Sequence, residues 1–125
     1  MNLNQVTIPV TDVQRAIDFY EQLGLQLIVK ALPHYARFEC PQGEATFSLH
    51  LADVPLNNTG TWIYFEVPDV NQAVLDLANK GISISDQPED KPWLWREARL
   101  ADPDNNTIII YHAGKNRKDP PWRIA

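Results

Sequence analysis

The chain carries one supersecondary sentence twice. VTIPVTDVQRAIDFYEQLGLQL, from Val6 to Leu27, returns as IYFEVPDVNQAVLDLANKGISI, from Ile63 to Ile84. Superposing the two pairs Val10 with Val67, Asp12 with Asp69, Val13 with Val70, Ala16 with Ala73, Ile17 with Val74, Tyr20 with Leu77 and Gly24 with Gly81. A repeated unit of this size cannot bury its apolar face alone, so two copies are expected to pack together and enclose something between them. A chain of 125 residues holds one core of ordinary size, so the copies read as halves of a single domain.

Each copy has the same grammar. Leu3 to Val10 and Ile63 to Val67 are β-branched and alternating, as strands are. Thr11 or Asp12 in the first copy, and Asp69 in the second, offer a side-chain oxygen to cap a helix. The helices then show apolar side chains at helical spacing (Val13, Ala16, Ile17, Tyr20, Leu23; Val70, Ala73, Val74, Leu77) and end at Gly24 and Gly81. Three short strands follow each helix: Leu25 to Val29, Tyr35 to Cys40 and Ala45 to Leu51 in the first half, Ile82 to Ser85, Arg96 to Leu100 and Thr107 to His112 in the second. Pro41, Gln42 and Gly43 make a tight turn, and DPDNN before the last strand is rich in residues that tolerate positive φ. The fold class is therefore α+β, with two tandem βαβββ modules: module one at about 3–52, a linker at about 53–60, module two at about 61–113 and a C-terminal arm at about 114–125. Pro120 and Pro121 exclude regular structure from the arm, whose Trp122 and Ile124 suit packing on the body or a partner as well as a frayed end.

Composition narrows the function classes. No apolar run is long enough for a membrane span, and the N-terminus lacks the basic start and apolar stretch of a secretory signal. A lone Cys40 agrees with a reducing compartment and reads as a small buried hydrophobe, so the expected location is the cytoplasm, where the sequons at Asn57 and Asn105 carry no meaning. A net charge of −5 argues against nucleic-acid binding, because phosphate contacts need a basic surface.

The paired modules, the DFYEQLGL helix ending and DPDNN resemble the vicinal-oxygen-chelate superfamily, which contains glyoxalase I, extradiol dioxygenases and bleomycin-resistance proteins. The stretch KPWLWREARLADPDNN is similar to the corresponding segment of bleomycin-resistance proteins. The resemblance implies two curved mixed sheets around a ligand cavity, and a homodimer with two sites. It also implies four metal-ligand positions, which fall in this chain at Gln5, near Ser48, at Trp62 and at Ile109. Only Gln5 coordinates well, whereas a divalent ion wants several imidazoles or carboxylates, so the metal site reads as lost and no cofactor is expected.

Two histidines support an alternative. PQGEATFSLH and PDNNTIIIYH align without a gap, making His50 and His112 symmetry mates, and a slipped register would give Gln5, His50 and His112 as a site for zinc, nickel or iron. The strand period of two opposes this, since Ile109 and His112 should face opposite sides of a sheet. With the metal gone, the resemblance places Trp62 and Tyr64 in the cavity and Trp93, Trp95 and Arg96 along its border. Indoles stack planar or cationic ligands, and Arg96 suits a carboxylate or phosphate. Of the polar residues in the first half's strands (His34, Arg37, Glu39, His50), Arg37 and Glu39 share a face and suit a solvent-side ion pair.

No nucleophile with a base, phosphate-cradling glycine loop, CxxC or HExxH is present. Three hypotheses remain. The first is a metal-free binder of an aromatic or cationic small molecule, with Gln5, His50, Trp62, Tyr64, Trp93, Trp95 and Arg96 as its ligand set. The second is a metal-dependent lyase or dioxygenase using Gln5 and His50 with His112 or a carboxylate such as Glu39. The third is an accessory protein whose cavity is filled by its own side chains.

Overall fold

The computed structural model describes residues 1–56 and 61–124, so Asn57 and the end of the expected linker lie outside the described residues. The first sheet is built from β1 (Gln5–Val10), β2 (Gln26–Ala31), β3 (Tyr35–Glu39) and β4 (Thr46–Leu51), in the order β1-β4-β3-β2. Strand β1 runs parallel to β4 and the other pairings are antiparallel, because helix α1 (Val13–Leu23) carries the chain over the sheet between β1 and β2. The second module repeats this with β5 (Trp62–Glu66), α2 (Val70–Asn79), β6 (Ile84–Asp90), β7 (Arg96–Ala101) and β8 (Thr107–His112), ordered β5-β8-β7-β6. The two βαβββ modules expected from the repeat are thus present.

Local chemistry explains the boundaries. Asp12 and Asp69 cap their helices by accepting the backbone N–H of Arg15 and Gln72, each at 3.0 Å. Gly24 ends α1 at φ +113°, a left-handed conformation that a side chain disfavours. Helix α2 stops one residue earlier than expected, at a Lys80 cap, and Gly81 supplies the positive φ next. Strand β6 differs most from the sequence expectation, running from Ile84 through Pro88 to Asp90. It is an edge strand with a register shift between Asp86 and Glu89, so the missing N–H of Pro88 breaks no regular ladder.

The chain divides into two compact units: 1–59 with 102–105, and 60–101 with 106–125. The first four residues of the DPDNN turn, Asp102 to Asn105, therefore group with the first unit, although sequence order put them in module two. The reason is a buried phenol. Tyr20, on the inner face of α1 against Phe38 and Phe47, donates its hydroxyl proton to Asp102 at 2.6 Å. Asp104 accepts the Thr11 backbone N–H at 3.2 Å and lies 3.4 Å from Arg15, while Asn105 takes the positive φ of +66° that the turn requires. Burial, then the charge and hydrogen bond of Asp102 and the charge of Asp104, push the Tyr20 phenol far above its ordinary value of 10.0.

In the second unit α2 buries Val70, Val74 and Leu77 towards β6, β7 and β8. The arm opens with a 3-10 turn, Gly114–Arg117, and then leaves Trp122 and Ile124 exposed. Cys40 is half-buried, and burial raises its thiol above the ordinary value, the opposite of what a reactive thiolate needs.

Candidate functional site

Strand alternation sorts each sheet into a face packed on its helix and a face turned from it. In the first unit Phe38 and Phe47 meet Tyr20 of α1, so Gln5, Tyr35, Arg37, Glu39, Ser48 and His50 fall on the other side. Three of them form a chain about the fully buried Ser48. Gln5 Nε2 donates to Ser48 Oγ, Ser48 shares a 2.8 Å hydrogen bond with the Tyr35 hydroxyl, and Arg37 Nε donates to that hydroxyl at 2.9 Å. The remaining amide oxygen of Gln5 accepts from Thr46 Oγ1. His50 shares this face, with Nδ1 donating to the Leu51 carbonyl at 2.9 Å. Glu39 is exposed and shares the Arg37 face, as expected, but no ion pair joins them among the described residues.

The second unit places aromatics where the first places polar groups. Trp62, Tyr64 and Glu66 of β5, Ile109 and Tyr111 of β8, Glu97 and Arg99 of β7, and Trp95 just before β7 share the face turned from α2. Trp95 stacks on Tyr111 with ring centres 4.9 Å apart, and Tyr64 meets both rings edge-on at 6.0 and 5.4 Å. Ile109 is the floor of this cluster, fully buried with Tyr111, Ala113 and Trp95 around it. The Arg99 guanidinium lies 4.6 Å over the ring of Trp62, a cation–π contact. Trp93 reaches the same face from the β6–β7 turn, where its indole N–H donates to Glu97 Oε2 at 2.6 Å. Burial and the Glu97 charge raise the Tyr64 phenol, with Arg99 opposing them.

Not every expected site residue joins this group. Arg96 alternates to the helix side, where it binds Asn71 of α2 at 3.0 and 2.9 Å and Asp90 at 2.9 Å. His112 is opposite Arg96 in the ladder and shares its side, with Nδ1 donating to the Val67 carbonyl at 2.9 Å. Ile109 and His112 thus face opposite ways, as the strand period required. The pairing of His50 with His112 is corrected by the ladders. Gln5 pairs with Thr46 and Trp62 with Thr107, so Ser48 corresponds to Ile109 and His50 to Tyr111, one residue from the ungapped alignment. Arg99 and Tyr111 are not singled out by the sequence, and Glu97 reads there only as a neighbour that Arg96 could pair with, whereas Arg96 binds Asn71 and Asp90. A period of two counted from Trp95 reaches Glu97 and Arg99.

Glu66 anchors the arm beside this face. Its Oε2 accepts the backbone N–H groups of Ala113 and Gly114 at 2.8 and 3.0 Å, and Trp95 Nε1 donates to the Asn116 carbonyl at 3.3 Å. Burial raises the Glu66 carboxyl, but the two amides, His112 and Arg117 outweigh it and hold it below the ordinary 4.5. A depressed carboxylate stabilises the fold above its unfolded value and ceases to as pH falls through the folded one. Glu66→Gln is expected to cost about 1 kcal/mol at neutral pH, little below that window, and to speed amide exchange at Ala113 and Gly114. Unchanged exchange there would sink the anchor.

A family model described as the Glyoxalase/Bleomycin resistance protein/Dioxygenase superfamily matches residues 2–110. The chain belongs to this superfamily. It is 30% identical to Uncharacterized protein YraH of Bacillus subtilis (strain 168), over 89% of this chain and 98% of that one. Among solved structures it resembles a member of the superfamily from Sphaerobacter thermophilus (TM-score 0.74, 23% identity, 90% of this chain and 97% of that). It also resembles lactoylglutathione lyase from Agrobacterium tumefaciens (TM-score 0.73, 17% identity, 89% and 92%). At these identities the structural likeness establishes the fold.

The metal-ligand positions that the resemblance implies, Gln5, near Ser48, Trp62 and Ile109, carry residues that do not fit a divalent ion. The Gln5 amide is bound to Ser48 and Thr46, the indole of Trp62 lies under Arg99, and Ile109 is a buried aliphatic chain. Among the described residues no three His, Cys, Asp or Glu side chains converge on one point. A hollow of about 340 Å3 beside the start of α1, lined by Thr11, Gln14, Leu32, Pro33 and Leu51 among others, contains none of the expected site residues.

Proposed function

We propose that this chain is a small-molecule-binding member of the superfamily that holds its ligand without a metal ion, against the aromatic face of the second sheet. One observation carries the reading: Trp95 stacks on Tyr111 with Tyr64 edge-on to both over the buried Ile109, and Trp62 lies on the same face, Trp62 and Ile109 being two of the slots where the resemblance implies metal ligands. Such a face stacks planar rings and attracts cations, and on the first sheet the Gln5 amide and the Ser48 and Tyr35 hydroxyls are engaged with one another.

The ligand class is a planar aromatic compound or an organic cation, and the reading is a binder rather than an enzyme. Acridine, a planar probe, is expected to quench tryptophan fluorescence at micromolar concentration, and Trp62→Ala to weaken this about tenfold. Calorimetric titration with nickel, zinc and iron(II) should give no stoichiometric site. Tight binding of any of them, or no response to acridine, defeats the reading.

The same reading includes a homodimer in the cytoplasm. Support for the dimer comes from Val6, Ile28, Val29 and Leu32, apolar side chains left exposed on or beside the edge strands of the first sheet. Support for the compartment is the single, unpaired Cys40. Light scattering on the purified protein should give twice the mass of one chain, and a monomer at micromolar concentration would remove the first of these.

A further inference from the structure

Glu97 is 2% exposed, and its Oε1 is buried without a hydrogen-bond partner. Buried carboxylate oxygens are normally satisfied, so an orphan here calls for an occupant. Among the described residues no cation supplies it. Lys91 pairs with Glu89 at 3.3 Å, Arg96 with Asp90 at 2.9 Å, and Arg99 lies on Trp62 and 4.0 Å from Asp86. Among the described residues the one side-chain donor to Glu97 is the Trp93 indole, on Oε2.

Trp93 is suited to leave. It is 43% exposed, lies outside the strands, and precedes Leu94, which holds φ +68°, a conformation leucine rarely adopts. The turn is pinned at its ends by Leu94 N–H to the Lys91 carbonyl at 3.0 Å and Lys91 N–H to the Trp95 carbonyl at 2.7 Å, while the indole is fixed by its one bond to Glu97.

Resting on the aromatic-binder reading, we infer that Glu97 is the ligand's polar anchor: an amidinium, guanidinium or primary ammonium carried on a planar body displaces the Trp93 indole and takes both carboxylate oxygens. A forked donor fits a carboxylate with two parallel N–H···O bonds, satisfying the oxygen that the indole leaves bare. The body of the ligand then lies against Tyr64 and Trp95, and Arg99 on Trp62 shows that this face already accepts a guanidinium. A quaternary ammonium, with no N–H, gains only the ring contact.

Calorimetry with benzamidine and its neutral isostere benzamide tests this on the full chain. Benzamidine should bind at least tenfold more tightly, about 1.4 kcal/mol. Glu97→Gln should abolish the preference by weakening benzamidine and leaving benzamide unchanged. Trp93→Phe keeps the ring, removes the competing N–H, and should tighten benzamidine severalfold without affecting benzamide; it serves if Glu97→Gln does not fold. Equal affinities in the wild type, or a preference that survives Glu97→Gln, overturn the inference. If acridine still quenches in that case, the aromatic-binder reading stands; if acridine also fails, both fall.

Discussion

Ile109→Ala lowers the unfolding free energy by about 3 kcal/mol, and Ile109→Glu by about 4 kcal/mol at neutral pH. Ile109 is fully buried, with Tyr64 and Arg99 opposite it in the ladders and Tyr111, Ala113 and Trp95 packed around it. Truncation leaves a hole under stacked rings that cannot collapse. A carboxylate there loses its hydration beside an Arg99 guanidinium already engaged with Trp62 and Asp86, the costlier of the two insults. Against a typical total of about 5–15 kcal/mol, either loss is large. Urea unfolding followed by circular dichroism measures both; a cost under about 1 kcal/mol for Ile109→Glu would mean that the slot is open to water. The functional corollary is that restoring a metal-binding residue at this position disrupts packing before it creates a ligand.

Tyr20→Phe is expected to cost about 2 kcal/mol, because it removes the phenolic donor to Asp102, a residue only 5% exposed. The same bond predicts an alkaline limb. The folded-state value of Tyr20 is raised, so its contribution is complete below the unfolded value of 10.0 and declines as pH rises above it, where only the unfolded chain sheds the proton readily. Wild-type stability should therefore fall above pH 10.0, and less steeply in Tyr20→Phe; Tyr64 and Tyr111, whose phenols are also raised, keep part of the slope. Equal slopes in the two proteins would show that Asp102 does not hold this phenol.

The architecture was legible because it rests on local signals. Asp12 and Asp69 as caps, Gly24 as a stop and the apolar stripes of α1 and α2 are set by neighbours within a few residues. Strand β6 was foreshortened because Pro88 argues against a strand until one knows that it lies on an edge. The candidate site was half legible. Trp62, Tyr64 and Trp95 were found, but Arg96 was grouped with Trp95 although adjacent strand residues point apart, and the phase of KPWLWREARL is fixed only by pairing with β8. In the sequence Glu97 reads only as a neighbour for Arg96 to pair with. The Trp93 indole that donates to it comes from a turn whose geometry residue order does not specify.

The exchange of the 102–105 segment makes the two copies non-interchangeable. Leu77 stands where Tyr20 stands in the first copy and asks for no acceptor, while Pro41 to Glu44 precede β4 as Asp102 to Asn105 precede β8 and offer no buried aspartate. A tandem of two first copies would carry a second phenol with no carboxylate to receive it; a tandem of two second copies would bury an acid beside a leucine. Splitting the gene at the linker would meet the same obstacle, since the amino-terminal product would be missing a piece encoded near the far end.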